Sequence, residues 1–175
     1  MKLTSARPSG VSHASFLFPY PPSVNHCWGR KGKAVFLSSK YKDFLSDVAL
    51  VVAGTRLREA PGYYINLVVA PPDRRARDLD NVLKPILDSL TRCCVWTDDS
   101  LVARIHVDRS EPKKGGEVAV MVGVLSDKQV QAIRAEVRER RLAEFMEKYL
   151  LILKHGNVYE FAELADEYVD LFESD

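Results

Sequence analysis

Residues 78–90 read Asp78-Leu79-Asp80-Asn81-Val82-Leu83-Lys84-Pro85-Ile86-Leu87-Asp88-Ser89-Leu90. Val82, Leu83, Ile86, Leu87 and Leu90 recur at helical spacing, which predicts a helix that buries one face. The opening turn breaks that pattern: two carboxylates stand two residues apart, followed by an amide and then by a lysine four residues after the second carboxylate. Pro85 locates the start of the helix. Deep inside a helix a proline removes a hydrogen bond and clashes with the preceding turn, at a cost of about 3 kcal/mol. The helix is therefore expected to begin near Asn81, with Asn81 as its cap, or to bend at Pro85. Either way Asp78 and Asp80 stand at or just before its N-terminus.

Upstream, "YYINLVVA" (63–70) is a β-rich run closed by Pro71-Pro72, and the basic loop "DRRAR" (73–77) leads into the helix. Before it, "SKYKDFLSDVALVVAG" (39–54) is apolar at Tyr41, Phe44, Leu45, Val48 and Val52, with Ser39 placed to cap and Gly54 to end a helix. "ASFLF" (14–18) reads as a short strand, and "GRKGKAVFLS" (29–38) as a basic glycine-containing loop with a strand at Ala34–Leu37. Downstream, "CCVWTDDS" (93–100) is a turn, "LVARIHVD" (101–108) alternates like a strand, "EPKKGGE" (111–117) is a basic turn and "VAVMVGV" (118–124) a last strand. The order of elements predicts an α/β domain with one mixed sheet and flanking helices over residues 14–125, preceded by an arm at 1–13.

From residue 126 the character changes. "SDKQ" has the spacing of a capping box and opens a helix expected to run to about His155; a second covers 157–172. This C-terminal helical hairpin (126–175) carries 7 basic against 12 acidic residues, net −5, whereas residues 1–125 carry 18 against 12, net +6. A basic body suits an anionic polymer, and an acidic tail does not belong on that face. Cys27, Cys93 and Cys94 form no CxxC pair and are odd in number, which predicts reduced thiols rather than a zinc site or a disulfide framework. No apolar run approaches the roughly 18 residues of a membrane span, and no secretory leader is visible, so a cytoplasmic location is expected.

The two acidic pairs carry the chemistry. If strand 101–108 lies antiparallel beside strand 63–70, one carboxylate of Asp98-Asp99 meets Asp78 and Asp80. Three carboxylates about 5 Å apart repel by roughly 3 kcal/mol per pair at an effective dielectric of 20, so such a cluster implies a cation. Oxygen ligands without His or Cys select Mg²⁺ or Mn²⁺, and Lys84, at i+4 from Asp80, is placed to bind a phosphate oxygen. These are the parts for metal-assisted phosphodiester hydrolysis. The competing reading makes Asp78 and Asp80 helix caps and Asp98 and Asp99 turn residues; spacing alone leaves both open. The basic loops, Arg30, Lys31 and Lys33, then Arg74, Arg75 and Arg77, then Lys113 and Lys114, favour phosphate contacts. Trp28 and Trp96 are expected to pack in the core or at its rim, Asn25 to hold its loop, and His106 to be solvated.

"PPSVN" (21–25), "PPDRRARDLDNVLKPILDSL" (71–90), "VWTDDSLV" (95–102) and "KKGGEV" (113–118) together resemble the RusA family of Holliday-junction resolvases, over about residues 16–124. The resemblance implies a Mg²⁺-dependent endodeoxyribonuclease with Asp78, Asp80 and Asp99 as catalytic metal ligands and Lys84 beside them. Of the turn pair, the second aspartate is the one that matches. It also implies a homodimer that nicks a four-way junction in pairs. A flap or fork nuclease, and a non-catalytic branched-DNA-binding protein, are the alternatives. The arm and the hairpin lie outside the resemblance, and the hairpin suits folding support, an unknown protein partner, or an acidic element that competes with DNA for the basic face.

Overall fold

In the computed structural model, which describes residues 10–155 and 158–171, two strands form the middle of the sheet. β4 (Gly62–Ala70) and β6 (Glu117–Leu125) pair antiparallel along their whole length. β1 (His13–Pro19) pairs with β6, also antiparallel, and β5 (Val102–Arg109) flanks β4, giving the order β1-β6-β4-β5. Period-two alternation sends Tyr63, Ile65, Leu67 and Val69 of β4 and Val118, Val120 and Val122 of β6 to one buried face. Two helices cover that face. α1 (Ser39–Val52) contributes Tyr41, Phe44, Val48 and Val52, and α2 (Asp80–Arg92) contributes Val82, Ile86 and Leu90. The architecture is the mixed-sheet α/β domain that the order of elements implied.

One pairing departs from expectation. β5 runs parallel to β4, with Tyr63 beside Val102 and Ile65 beside Ile105. The cause is the connection: a helix and a turn lie between the two strands, and a crossover of that length returns the chain in the same direction. The start of β5 therefore lies beside the start of β4, not beside its end. As an edge strand β5 is poorly covered; Ile105 shares the inner face with Ile65 yet remains 44% exposed.

Local ends shift by a residue or so. Ser38, not Ser39, caps α1 by accepting from the Tyr41 N–H at 3.2 Å, and Gly54 follows its end at φ +75°. Asn81 is not the cap of α2. The helix opens at Asp80, Leu79 occupies the cap position without a side-chain bond, and Pro85 is buried within the helix. Standing in the second turn, Pro85 takes a helical partner only from the Asn81 carbonyl. Its own carbonyl accepts from the Tyr41 hydroxyl at 3.5 Å, and burial, with smaller contributions led by the Asp88 carboxylate, pushes that phenol up to about 12, so it stays a donor. Residues 29–38 are not a loop but a hairpin, β2 (Trp28–Lys31) against β3 (Ala34–Leu37), turned at Gly32-Lys33 with Gly32 at φ +60°. A glycine in the first turn position is what a two-residue hairpin of this kind requires. The expected arm lies partly outside the described residues. Its last part is tied down: the Val11 N–H donates to the Arg56 carbonyl at 2.9 Å and Val11 accepts from the Arg58 N–H at 3.0 Å.

The chain divides into two compact units at Ser126/Asp127. The second contains α3 (Asp127–His155) and α4 (Val158–Glu167), followed by a 3₁₀ turn at Val169–Leu171. It has a small core of its own, Leu164, Tyr168 and Leu171 against Phe145, Tyr149 and Ile152. Arg141 and Lys148 flank the Tyr168 ring at 5.5 and 4.9 Å from its centroid. Residues 156 and 157, the expected joint of the hairpin, lie outside the described residues, as does Phe172 at the end of the expected second helix. The three cysteines are free, and no helix among the described residues is long and apolar enough to cross a membrane.

Candidate active site

Asp80 is the first residue of α2 and Asp78 precedes it by two, both exposed. The N-terminal end of a helix carries positive partial charge, which favours carboxylates there. Neither carboxylate has a hydrogen bond or ion pair to any described residue. Lys84 does not turn back to Asp80. Its ammonium lies 2.6 Å from Asp88 Oδ1, one turn further along α2, and 3.8 Å from Asp99 Oδ2. The hydrogen bond to Asp88 is the main reason the Lys84 pKa is raised, with the Asp88 and Asp99 charges adding to it. Lys84 is thus held as a cation with a largely exposed head (61%).

The turn pair divides its roles. Asp98 caps a 3₁₀ turn at Asp99–Leu101 by accepting from the Ser100 N–H at 2.8 Å, a bond that lowers its pKa. Asp99 is left facing Lys84. No group of three or more His, Cys, Asp or Glu side chains among the described residues is drawn together closely enough to hold a metal ion. The expected convergence of Asp99 with Asp78 and Asp80 is therefore not seen; it assumed β5 antiparallel to β4, and the strands run parallel. The donor chemistry is nonetheless uniform: exposed carboxylate oxygens, with no thiolate or imidazole among them, suit a hard divalent cation. Asp88 is the participant that sequence reasoning missed. Its i+4 spacing from Lys84 was the available signal.

The loop ahead of Asp78 is locked in two ways. Arg77 clamps Asp73 with two bonds of 2.6 and 2.8 Å, and the Arg75 N–H adds a third at 2.9 Å; these bonds hold the Asp73 carboxyl well below the usual range. Arg109, from the end of β5, donates to the Arg77 carbonyl, one residue from Asp78. Arg77 is therefore committed to the loop rather than free for DNA, while Arg74 and Arg75 are exposed. With Pro71, Asp73, Arg109, Ser110, Glu111 and Pro112 they line a cavity of about 260 Å³. Lys113 pairs with Glu117 and Lys114 is exposed.

Trp96 is buried and its indole N–H donates to Thr91 Oγ1 at 2.7 Å, as a core tryptophan should. Trp28 is not in the core: it is 48% exposed on the β2–β3 hairpin. On that face of the hairpin Leu37, the register partner of Trp28, packs against the core, and Trp28 stays outside it. Arg30, Lys31 and Lys33 are exposed around it, as is Asn25. His106, solvated as expected, lies 3.0 Å from Asp108.

A family model described as Endodeoxyribonuclease RusA matches residues 19–124. The crossover junction endodeoxyribonuclease rusA of Enterobacteria phage HK97 is 34% identical over 114 residues, covering 64% of this chain and 95% of the relative. Its counterpart in Enterobacteria phage 82 is 31% identical over 106 residues (59% and 88%). Crossover junction endodeoxyribonuclease RusA of Escherichia coli (strain K12) is 30% identical over 110 residues, covering 62% and 92%. The matched segment contains Asp78, Asp80, Lys84, Asp88 and Asp99 and stops before α3.

Proposed function

The chain belongs to the RusA family of endodeoxyribonucleases, and from that premise we propose that it resolves four-way DNA junctions by paired nicks, as a homodimer that depends on a divalent cation. The observation that carries the reading is the meeting of Lys84 with Asp99 at 3.8 Å, beside a D-x-D pair whose carboxylates have no partner among the described residues. The named relatives are crossover junction endodeoxyribonucleases, and the matched segment spans most of each of them.

Asp78, Asp80 and Asp99 would hold the cation. When bound, Mg²⁺ supplies Lewis-acid activation of water and screening of phosphate charge. The chain's own contribution is electrostatic and positional. Lys84, kept protonated by Asp88 and Asp99, donates to a phosphate oxygen and stabilises the negative charge that grows on it; it does not act as a base. The Asp73–Arg77 clamp and the Arg109 bond fix the loop that aims Asp78. Arg74, Arg75 and Lys114 sit on loops where exposed cations neutralise backbone phosphates.

The test is cleavage of end-labelled four-way junction, fork and duplex DNA of matched sequence, with and without Mg²⁺. Paired nicks on the junction that require the cation are expected. Equal cleavage of duplex, preference for the fork, or cation-independent cleavage would overturn the reading.

A further inference from the structure

The β2–β3 hairpin carries apolar surface that the protein core does not use. Trp28 is 48% exposed, Phe36 47% and Val35 58%. The register pairs Trp28 with Leu37 and Gly29 with Phe36, so the alternation of side chains puts the two aromatic rings on opposite faces of the hairpin. The Phe36 ring covers Gly29, where a Cβ would meet it at 2.5 Å. That close approach explains the glycine and braces the phenyl ring against the strand. The two-residue turn keeps the element narrow.

Charge identifies what such an element meets. Between Trp28 and Leu37 stand Arg30, Lys31 and Lys33, all exposed, with no acidic residue. An apolar patch for a protein partner is rimmed by mixed polar groups, whereas aromatic rings set among unopposed cations match nucleic acid: the cations hold the backbone and the rings take base faces. In continuous duplex the bases are stacked on one another and offer no face. At a branch point each arm ends in an exposed base pair.

We infer that the Trp28–Leu37 hairpin is a pin that enters the branch point of DNA, with Trp28 stacking on an exposed base on one side and Phe36 contacting the opposite side. This deepens the junction reading and rests on it. The hairpin supplies the preference for branched over continuous DNA, while the aspartates and Lys84 supply cleavage.

The experiment uses the full-length chain in EDTA, so that nothing is cut. The probes are a four-way junction with 2-aminopurine at the branch point and a duplex with the same base in continuous sequence. The wild-type protein should quench the branch-point fluorophore. Trp28→Ala should remove the quench and weaken junction binding roughly tenfold, the scale of one lost stacking contact, with duplex affinity unmoved. Trp28→Phe should restore part of both. Gly29→Ala should displace Phe36 and give a smaller loss of the same selectivity. Equal weakening on junction and duplex would reduce Trp28 to a general contact and overturn the pin. A Trp28→Ala protein that sediments as a smaller species than wild type would overturn it too, by assigning the ring to an interface between copies. A Trp28-dependent quench without wild-type cleavage in Mg²⁺ retains the pin and removes the nuclease reading. Cleavage without any Trp28 dependence does the reverse.

Discussion

Lys84 and Asp99, on α2 and on the turn that leads into β5, stand 3.8 Å apart. That pair ties the two halves of the candidate site together. Neither residue is buried, so it contributes little to folding; exposed ion pairs are worth about 0–1 kcal/mol. Lys84→Ala should lower turnover roughly 10²-fold, the usual scale for one lost electrostatic donor, while the melting temperature barely moves. Single-turnover cleavage beside a thermal melt decides it, and an unfolded variant or an unchanged rate defeats the assignment.

Asp88 makes a separate prediction through pH. Its hydrogen bond is the largest cause of the raised Lys84 pKa. A raised pKa means that the ammonium persists past the ordinary value of 10.5, and any stability from the pairing is present below that value and lost as pH rises through the folded one. Asp88→Asn should therefore move the alkaline limb of the rate profile downward toward the ordinary lysine value. An alkaline limb that stays in place would show that Asp88 does not act through Lys84.

Asp78→Asn, Asp80→Asn and Asp99→Asn should each abolish cleavage and leave junction binding intact or tighter, since each removes negative charge that faces phosphate. Ca²⁺, with its looser coordination, should support binding but little cleavage. A wild-type rate in any one of the three variants removes that residue from the ligand set.

Much of this was legible in the sequence, for identifiable reasons. The buried faces of β4 and of α2 follow from periodicity, which core packing enforces. The D-x-D pair was visible because it interrupts that periodicity. The parallel pairing of β5 was misread because strand direction is set by the path of the connection, a tertiary property that leaves no mark on the strand. Pro85 was overweighted: a proline in the second turn frees only one carbonyl, so the helix still starts at Asp80. Asp88 was overlooked because an acidic residue on an amphipathic helix looks like ordinary solvated surface until the lysine's direction is known. The exposure of Trp28 leaves no mark in the sequence, because which residue of a strand pair reaches the core, here Leu37, is decided by how the hairpin sits on it.

The Asp73–Arg77 clamp predicts a dependence on acid. The Asp73 pKa is lowered chiefly by the Arg77 hydrogen bond, so the stabilisation is complete above the ordinary value of 3.8 and fades as pH falls below it. Asp73→Asn should loosen the loop that carries Asp78 and slow cleavage. Its melting temperature should fall short of wild type by an amount that is constant down to that value and shrinks beneath it. A gap that shrinks already near neutrality would place its origin elsewhere.

The second unit makes a prediction through charge alone. The family match ends at residue 124, and the residues beyond 125 carry net −5 while those before carry net +6. A protein approaches DNA as a sum of charges at long range, and the far field of the whole chain is nearly neutral. The unit also has its own small core, around Leu164, Tyr168 and Leu171. A chain truncated after Leu125 should stay folded and bind DNA more tightly than the full chain. The difference should be largest at low salt and should shrink as ionic strength shortens the screening length to about 10 Å at 0.1 M. Titration of both chains with the same junction across a salt series measures it. Loss of solubility or of dimerisation on truncation, with activity falling in parallel, would make the unit a folding support. A folded truncation with unchanged affinity at every salt concentration would leave recruitment of a protein partner as its role.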